Sequence, residues 1–513
     1  MSFQHPSDCL NEIFEYLEED IFTLHSCLLV NRFWCEVSVS ILWKNVWNVV
    51  STTPYQNYIM GISDKATLLH TLTSCLPKES KDLLYDEKII STPILKPPLF
   101  NYVSFCKVLS IDEIHHMSNK FFCNRRLISA NNSDNLNLLL QEILKMFMSQ
   151  TSLKELSLTY KYESSFSDKL LKNPNNITLA QFPGARNCLT NLSELTCSSN
   201  VDSEFFHQLS QICHNIQSLN IRFKYSFSSG INVLISSLNN LKYFSLTQIY
   251  NYMFSKLNVK EIESSLTKHS NTIIRLHLRD ASPLLFITHF KNLQELVISF
   301  EYDTSCEDFK QIQFITFPHL KILKFVLRCP KVEIIIKFLK NNGQNLEEFY
   351  VYKCNNRLNY SIAEYCPNLK IYYAQFMENT LETLKLIFVS CQQLESIKIW
   401  TNDVLYGEGK EMLNIVANYS PKTFHELRLY ESTISNLDFE DLESFFIKWK
   451  NRIPQKSLSF IIHDVNDNNL EVNDEFNRII KRYKNLGVIK KFEIIPYQSD
   501  TFLHVPTSFT KSL

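Results

Sequence analysis

One short pattern returns along most of this chain of 513 residues. It runs apolar, two variable, apolar, one variable, apolar. It reads SLKELSL at Leu153, NLSELTC at Leu192, NIQSLNI at Ile216, NLKYFSL at Leu241, TIIRLHL at Ile273 and NLQELVI at Leu293. It goes on as HLKILKF, NLEEFYV, NLKIYYA, QLESIKI and TFHELRL, whose first apolar members are Leu320, Leu346, Leu369, Leu394 and Phe424. FCKVLSI at Cys106 is a weaker early copy, and KSLSFII at Leu458 and VIKKFEI at Ile489 are late ones. From Leu192 onward the copies lie 20 to 34 residues apart, shortest from Ile273 to Leu293 and longest from Phe424 to Leu458. Alternation of apolar residues in the second half of each copy suits a strand. Between copies lie helical runs such as EFFHQLSQIC, INVLISSL, KVEIIIKFLKNNGQ, LETLKLIFVSC and KEMLNIVANYS.

The unit is therefore strand, turn, helix. Such a unit cannot bury its apolar face alone, so neighbours must stack. Strands then line the inside of a curve and helices its outside. The expected fold is α/β, a leucine-rich-repeat solenoid of horseshoe type over residues 101–513. Glycine is scarce, seven in all, and asparagine beside the strands is expected to take the left-handed turn positions that glycine would otherwise fill.

Side chains alternate along a strand, so the residues flanking each inward leucine face away from the core. In the repeats starting at Leu346, Leu369, Leu394 and Phe424 these include Tyr350, Tyr352, Tyr373, Lys398, Trp400, Arg428 and Tyr430. Aromatic and arginine side chains bury much area at small entropic cost, so this set is the expected binding face for a protein target. Arg275, His277 and Arg279 form a second, more basic outward stripe.

The first forty residues follow a different rule. In HPSDCLNEIFEYL, Leu10, Ile13, Phe14 and Leu17 fall at i, i+3, i+4 and i+7 and share one helical stripe, with Pro6 and Ser7 at its start. A second run passes through Ile21, Leu24, Cys27 and Leu28, and VNRFW opens a third through Trp34, Val37 and Ile41. Three short helices of this size bury only part of their apolar surface, since units below about 40 residues usually need staples or partners. The order of the Pro6 start, CLNEIFEYL, the Asp20 break, VNRFW and the closing LW resembles the F-box, over residues 4–47. His5 stands where that family has leucine. With the repeats, the chain resembles the F-box and leucine-rich-repeat proteins over nearly its whole length.

That resemblance implies an F-box at 1–48, a linker with short helices at 49–100 and the solenoid beyond. It implies a substrate-recognition subunit of a Skp–cullin–F-box ubiquitin ligase, holding the Skp-type adaptor, and through it cullin, by Pro6, Leu10, Ile13, Phe14 and Leu17. Such a subunit works by proximity and needs neither catalytic residue, metal nor cofactor. The alternative is a repeat scaffold with no coupling to a ligase.

Other classes find little support. A net charge of −1 gives no footprint for nucleic acid or an anionic membrane. No leader and no apolar run of membrane-spanning length is present, so the expected location is cytoplasmic or nuclear. The fourteen cysteines include no C-x-x-C pair and read as buried small apolar residues. Gly407 and Gly409 fit neither phosphate-binding glycine pattern. Asp464, Asn466, Asn468 and Glu475 stand at calcium-loop spacing, but Asn469 occupies the glycine position and a strand precedes them, so a polar loop is expected. His115 and His116 are adjacent and would face apart on a helix.

Overall fold

The computed structural model describes residues 6–18, 20–47, 61–90, 98–124, 132–159, 179–224, 226–248, 257–300, 306–376, 381–401, 408–430, 439–454, 456–464 and 474–496. The chain divides into two compact units, Met1–Lys242 and Tyr243–Leu513.

In the first unit the apolar stripes form the three expected helices, Pro6–Glu15, Ile21–Cys27 and Arg32–Leu42. Asp20, read as a break, is the cap of the second helix: its carboxylate accepts from the Thr23 N–H at 3.0 Å and the Thr23 hydroxyl at 2.6 Å. Asn31 caps the third by accepting from the Trp34 N–H at 2.9 Å. Phe14, Leu24, Cys27, Val37 and Ile41 make the core, flanked by the half-buried Leu10, Leu17 and Trp34. The module is fastened to the first repeat. Trp47 Nε1 donates to the Val108 carbonyl at 2.8 Å, and the Lys44 carbonyl accepts from the Lys107 N–H at 2.9 Å.

Two helices fill part of the segment expected as a linker. Gly61–Cys75 packs on helix Ile111–Asn124, and Lys78–Asp86 on helix Asn132–Gln150. Strands β1 (Val108–Ser110), β2 (Glu155–Leu158), β3 (Glu194–Ser198) and β4 (Ser218–Phe223) then follow in parallel, in chain order.

The second unit continues with β5 (Tyr243–Gln248), the short β6 (Leu257–Asn258), β7 (Arg275–Arg279), the short β8 (Ala281–Ser282), β9 (Glu295–Phe300) and β10 (Ile322–Leu327). Then come β11 (Glu348–Lys353), β12 (Ile371–Phe376), β13 (Ser396–Thr401), β14 (Glu426–Tyr430), β15 (Leu458–Asp464) and β16 (Ile489–Pro496). Within this unit all but β6 and β8, which pair with each other, form one parallel sheet in chain order. The register runs unbroken through the core. Phe244, Leu276, Leu296, Leu323, Phe349, Tyr372, Ile397, Leu427 and Phe460 are successive cross-strand partners, and all are buried.

Helices such as Val332–Asn342, Asn356–Tyr365, Leu381–Ser390 and Glu408–Tyr419 return the chain between strands. The unit from Ile273 to Leu293, the shortest of the set, has no room for one and turns through the 3₁₀ segment Leu285–His289. The fold is that of a leucine-rich-repeat α/β solenoid. Among the described residues no helix is long and apolar enough to cross a membrane.

The asparagines do a different job from the one expected. Among described non-glycine residues only Lys88, Asp280 and Leu327 have positive φ, and none is asparagine. Instead Asn292, Asn345 and Asn368, each just before the first leucine of its repeat, donate backward to the carbonyls of Asn271, Pro318 and Gln344 at 2.8–2.9 Å. Parallel stacking places that carbonyl one repeat behind, within reach of a short amide but not of glycine. Thiols do the same inside: Cys213 Sγ donates to the Leu189 carbonyl at 3.5 Å and Cys391 Sγ to that of Cys366 at 3.3 Å. Burial pushes both thiols up to about 12, so they remain protonated.

Asn342 is the most enclosed of these amides. Its Oδ1 accepts the Phe317 N–H at 2.7 Å, and its Nδ2 donates to the Ile315 carbonyl at 2.8 Å and the Phe338 carbonyl at 3.0 Å. Asn342→Ala removes the partner of the buried Phe317 N–H and of the Ile315 carbonyl, at a cost of about 2 kcal/mol or more. Asn345→Ala, at an exposed site, costs under about 1 kcal/mol. Urea unfolding of the two variants beside the parent measures the difference.

Candidate interaction surfaces

The three-helix module completes its own core and still leaves large apolar side chains in water. Phe14 is only 2% exposed, whereas Ile13 is 58%, Tyr16 89%, Phe22 88%, Leu29 89% and Val30 56% exposed. The helical stripe expected as the adaptor contact is thus split. Phe14 belongs to the core and offers no surface, Leu10 and Leu17 lie half-buried against it, and Ile13 points to solvent. Pro6 opens the helix, and its side chain lies outside the described residues. Phe33, at the start of the third helix, is 39% exposed and joins the solvent-facing set. A moderate apolar stripe marks a buried side without saying which flanking residues stay wet.

On the sheet of the second unit, four of the seven expected contact residues fall in one register row. Lys324, Tyr350, Tyr373, Lys398 and Arg428 are successive partners across β10 to β14, each four residues after the first apolar member of its repeat. Strand spacing of roughly 4.8 Å brings these side chains into mutual contact. The rings of Tyr350 and Tyr373 meet edge to face at 4.5 Å, Lys324 Nζ lies 4.2 Å from the Tyr350 ring centre, and Arg428 lies 5.5 Å from that of Tyr373. The next row inward in sequence, two residues after each first apolar member, supplies the acids. Glu348 pairs with Lys324 at 3.4 Å, and Glu426 Oε1 accepts from Arg428 Nε at 2.8 Å and from the Ser396 hydroxyl at 2.7 Å.

The expectation that this row stands free in solvent is corrected by its burial. Tyr373 is 7% and Lys398 3% exposed, because side chains on adjacent strands cover one another. Tyr350 and Arg428 remain half-buried and define the accessible part, with Lys324, Glu348 and Glu426 beside them. Burial pushes the Tyr350 and Tyr373 phenols well above their ordinary range, so both donate hydrogen bonds rather than ionise. Burial also opposes charge on Glu426, yet the bonds from Arg428 and Ser396 prevail and hold its carboxyl below the usual range. Tyr352, Trp400 and Tyr430 lie in the same strands, and their side chains lie outside the described residues. Lys324, Glu348, Ser396 and Glu426 were missed. Aligning the copies on their first leucine would have found them, since all sit at the same two offsets.

The basic stripe through Arg275, His277 and Arg279 resolves into a buried relay. His277 is 2% exposed, its Nε2 lies 2.8 Å from Glu295 Oε1, and its Nδ1 lies 3.1 Å from the Tyr243 hydroxyl. Burial, outweighing the Glu295 hydrogen bond, pushes the imidazole below its ordinary 6.5 and keeps it neutral. A neutral ring donates through Nε2–H to Glu295 and accepts from Tyr243 at Nδ1, so both partners are satisfied.

Along the strand starts runs a polar groove of about 490 Å³, lined by Gln294, His319, Lys321, Glu347, Lys370 and Gln393 among others. Glu347 binds Lys321 at 2.8 Å and Lys370 at 2.7 Å, tying three repeats together; those bonds hold its carboxyl below the usual range. Helix Ile111–Asn124 carries His115 and His116, and burial brings His116 down to about 4, helped by the nearby Lys65 and Lys120. Asp464 ends β15, and Asn466 and Asn468 lie outside the described residues. Among the described residues no group of three or more His, Cys, Asp or Glu could hold a metal ion.

The solved structures similar to this chain include the leucine-rich-repeat-containing protein LegL7 from Legionella pneumophila, at 14% identity and a TM-score of 0.35, covering 64% of this chain and 98% of that one. They also include a chain of the Rad7 and Elc1 complex in yeast, at 16% identity and a TM-score of 0.35, covering 70% of this chain and 89% of that one. No protein-family model and no curated protein matches the chain.

The His277 relay sets a pH dependence. The unfolded chain takes up a proton near the ordinary 6.5, and the folded chain resists it. Stability from this group is therefore complete above that value and is lost as pH falls below it. Between about pH 7 and 5.5 the urea midpoint of the parent should drop more steeply than that of His277→Gln; parallel slopes would show that the relay does not couple to folding.

Proposed function

We propose that this chain is a non-catalytic substrate receptor. The N-terminal module docks on a Skp-type adaptor, and through it on cullin, while the half-buried face around Tyr350 and Arg428 holds a target protein. The observation that supports this most is the set of apolar side chains left in water by a module whose own core is already full. A surface of this kind between residues 13 and 33 is costly to leave uncovered, and burying each such side chain on docking contributes roughly 1.5–3 kcal/mol before association costs. The F-box resemblance of residues 4–47 names the class of partner. Docking falls to Ile13, Leu29 and Val30 with the flanks of Leu10 and Leu17, and Phe14 acts only by shaping the module.

The repeats then work by tethering. A target held on the sheet of the second unit is kept near the ubiquitin-charged enzyme, and the gain is one of effective concentration rather than of chemistry in this chain. The ladder of Lys324–Glu348 and Arg428–Glu426 pairs beside Tyr350 gives that face fixed donors, fixed acceptors and one broad ring, the composition of a specific contact.

The test uses substitutions that spare the core. Ile13→Asp combined with Leu29→Asp should leave the thermal transition of the full chain unchanged and abolish co-purification with a recombinant Skp-type adaptor at micromolar concentration. Adaptor binding that survives the double change would contradict the assignment of this surface. A parent chain that binds no adaptor would leave a repeat scaffold without ligase coupling, the reading that His5 in place of leucine would then favour.

A further inference from the structure

We propose that Tyr16 is a phosphorylation site that switches the N-terminal docking surface off. The inference rests on the docking reading above. Tyr16 is 89% exposed, against 53% for Tyr360, 46% for Tyr85 and 39% for Tyr419, the other large exposures among described tyrosines. It follows the first helix directly, in a turn where the N–H groups of Tyr16, Leu17, Glu18 and Asp20 donate to the carbonyls of Ile13, Phe14, Glu15 and Leu17 at 2.8–3.3 Å. A kinase needs a phenol that protrudes from the surface, and this one does.

The flanking charge completes the case. Glu12, Glu15, Glu18, Glu19 and Asp20 surround the tyrosine in sequence, the setting that a kinase with a basic substrate groove selects by charge complementarity. In the reaction the γ-phosphoryl group of ATP passes to the Tyr16 phenol oxygen, the bond to the departing ADP breaks, and the phenolic proton goes to the kinase base. The product carries about −1.5 to −2 charge at pH 7. It stands in the same exposed apolar set as Ile13 and Phe22. Lys44, a cation beside this segment, is already bound to Glu15 at 2.8 Å. A phosphate here meets like charge on its own segment and resists the desolvation that docking demands, so it opposes adaptor binding.

The experiment treats the full chain and its Tyr16→Phe variant with an acidophilic tyrosine kinase and ATP, locates phosphate by mass spectrometry, and titrates each product with a recombinant Skp-type adaptor. Tyr16→Phe keeps the apolar ring and removes the phosphate acceptor, so its affinity after treatment should equal its own affinity before treatment. The expected result is phosphate on Tyr16, a loss of about tenfold or more in adaptor affinity for the treated parent, and recovery after phosphatase. Phosphate on other tyrosines but not on Tyr16, or unchanged affinity with Tyr16 modified, would overturn the proposal while leaving adaptor docking intact. Failure of the untreated parent to bind would remove the docking reading itself, and the switch with it.

Discussion

Sheet strands of three to eight residues are too short to stand alone, and the register of one parallel strand on the next is what the structure depends on. In the second unit that register aligns one file of buried residues from Phe244 through Leu276, Leu296, Leu323, Phe349, Tyr372, Ile397 and Leu427 to Phe460 and, by alternation, aligns Lys324, Tyr350, Tyr373, Lys398 and Arg428 in another. A shift of one residue in any strand would exchange the two files and bury charge in the core. The inter-repeat bonds of Asn345, Asn368 and Cys391 fix this register at the strand starts and helix ends, away from the face a partner would touch.

The same rule explains why the sheet face is only partly accessible. Repetition that stacks leucines also stacks whatever lies between them, so lysine, tyrosine and arginine in neighbouring strands cover each other as thoroughly as the core does. The face has become a second packed layer in which donors and acceptors pair across strands, as in the Tyr243–His277–Glu295 relay. Its pairs are nearly balanced in charge, which suits recognition by close fit more than by long-range attraction.

Architecture was legible because the repeat carries it. Every quoted copy, from the weak one at Cys106 to the last at Ile489, contains a strand of the parallel sheets, and the quoted helical runs coincide with helices to within a few residues. Surface was less legible. Periodicity separated Phe14 from polar neighbours but did not show that Ile13, on the same stripe, faces water, because a helix of ten residues can tilt that much on its two partners. Nor did alternation reveal that Tyr373 and Lys398 are covered, since cover comes from strands 20 or more residues away in sequence. The asparagines were assigned to turns because local preference is visible in sequence, and a bond to the preceding repeat is not.

The account rests on a division of labour between an apolar N-terminal handle and a repeat face reserved for another partner. Hydrogen exchange of the full chain with and without a recombinant Skp-type adaptor tests that division most directly. The account predicts added protection confined to amides between residues 13 and 33 and none in β10 to β14. Protection spread over those strands, or absent from the helical module, would contradict it.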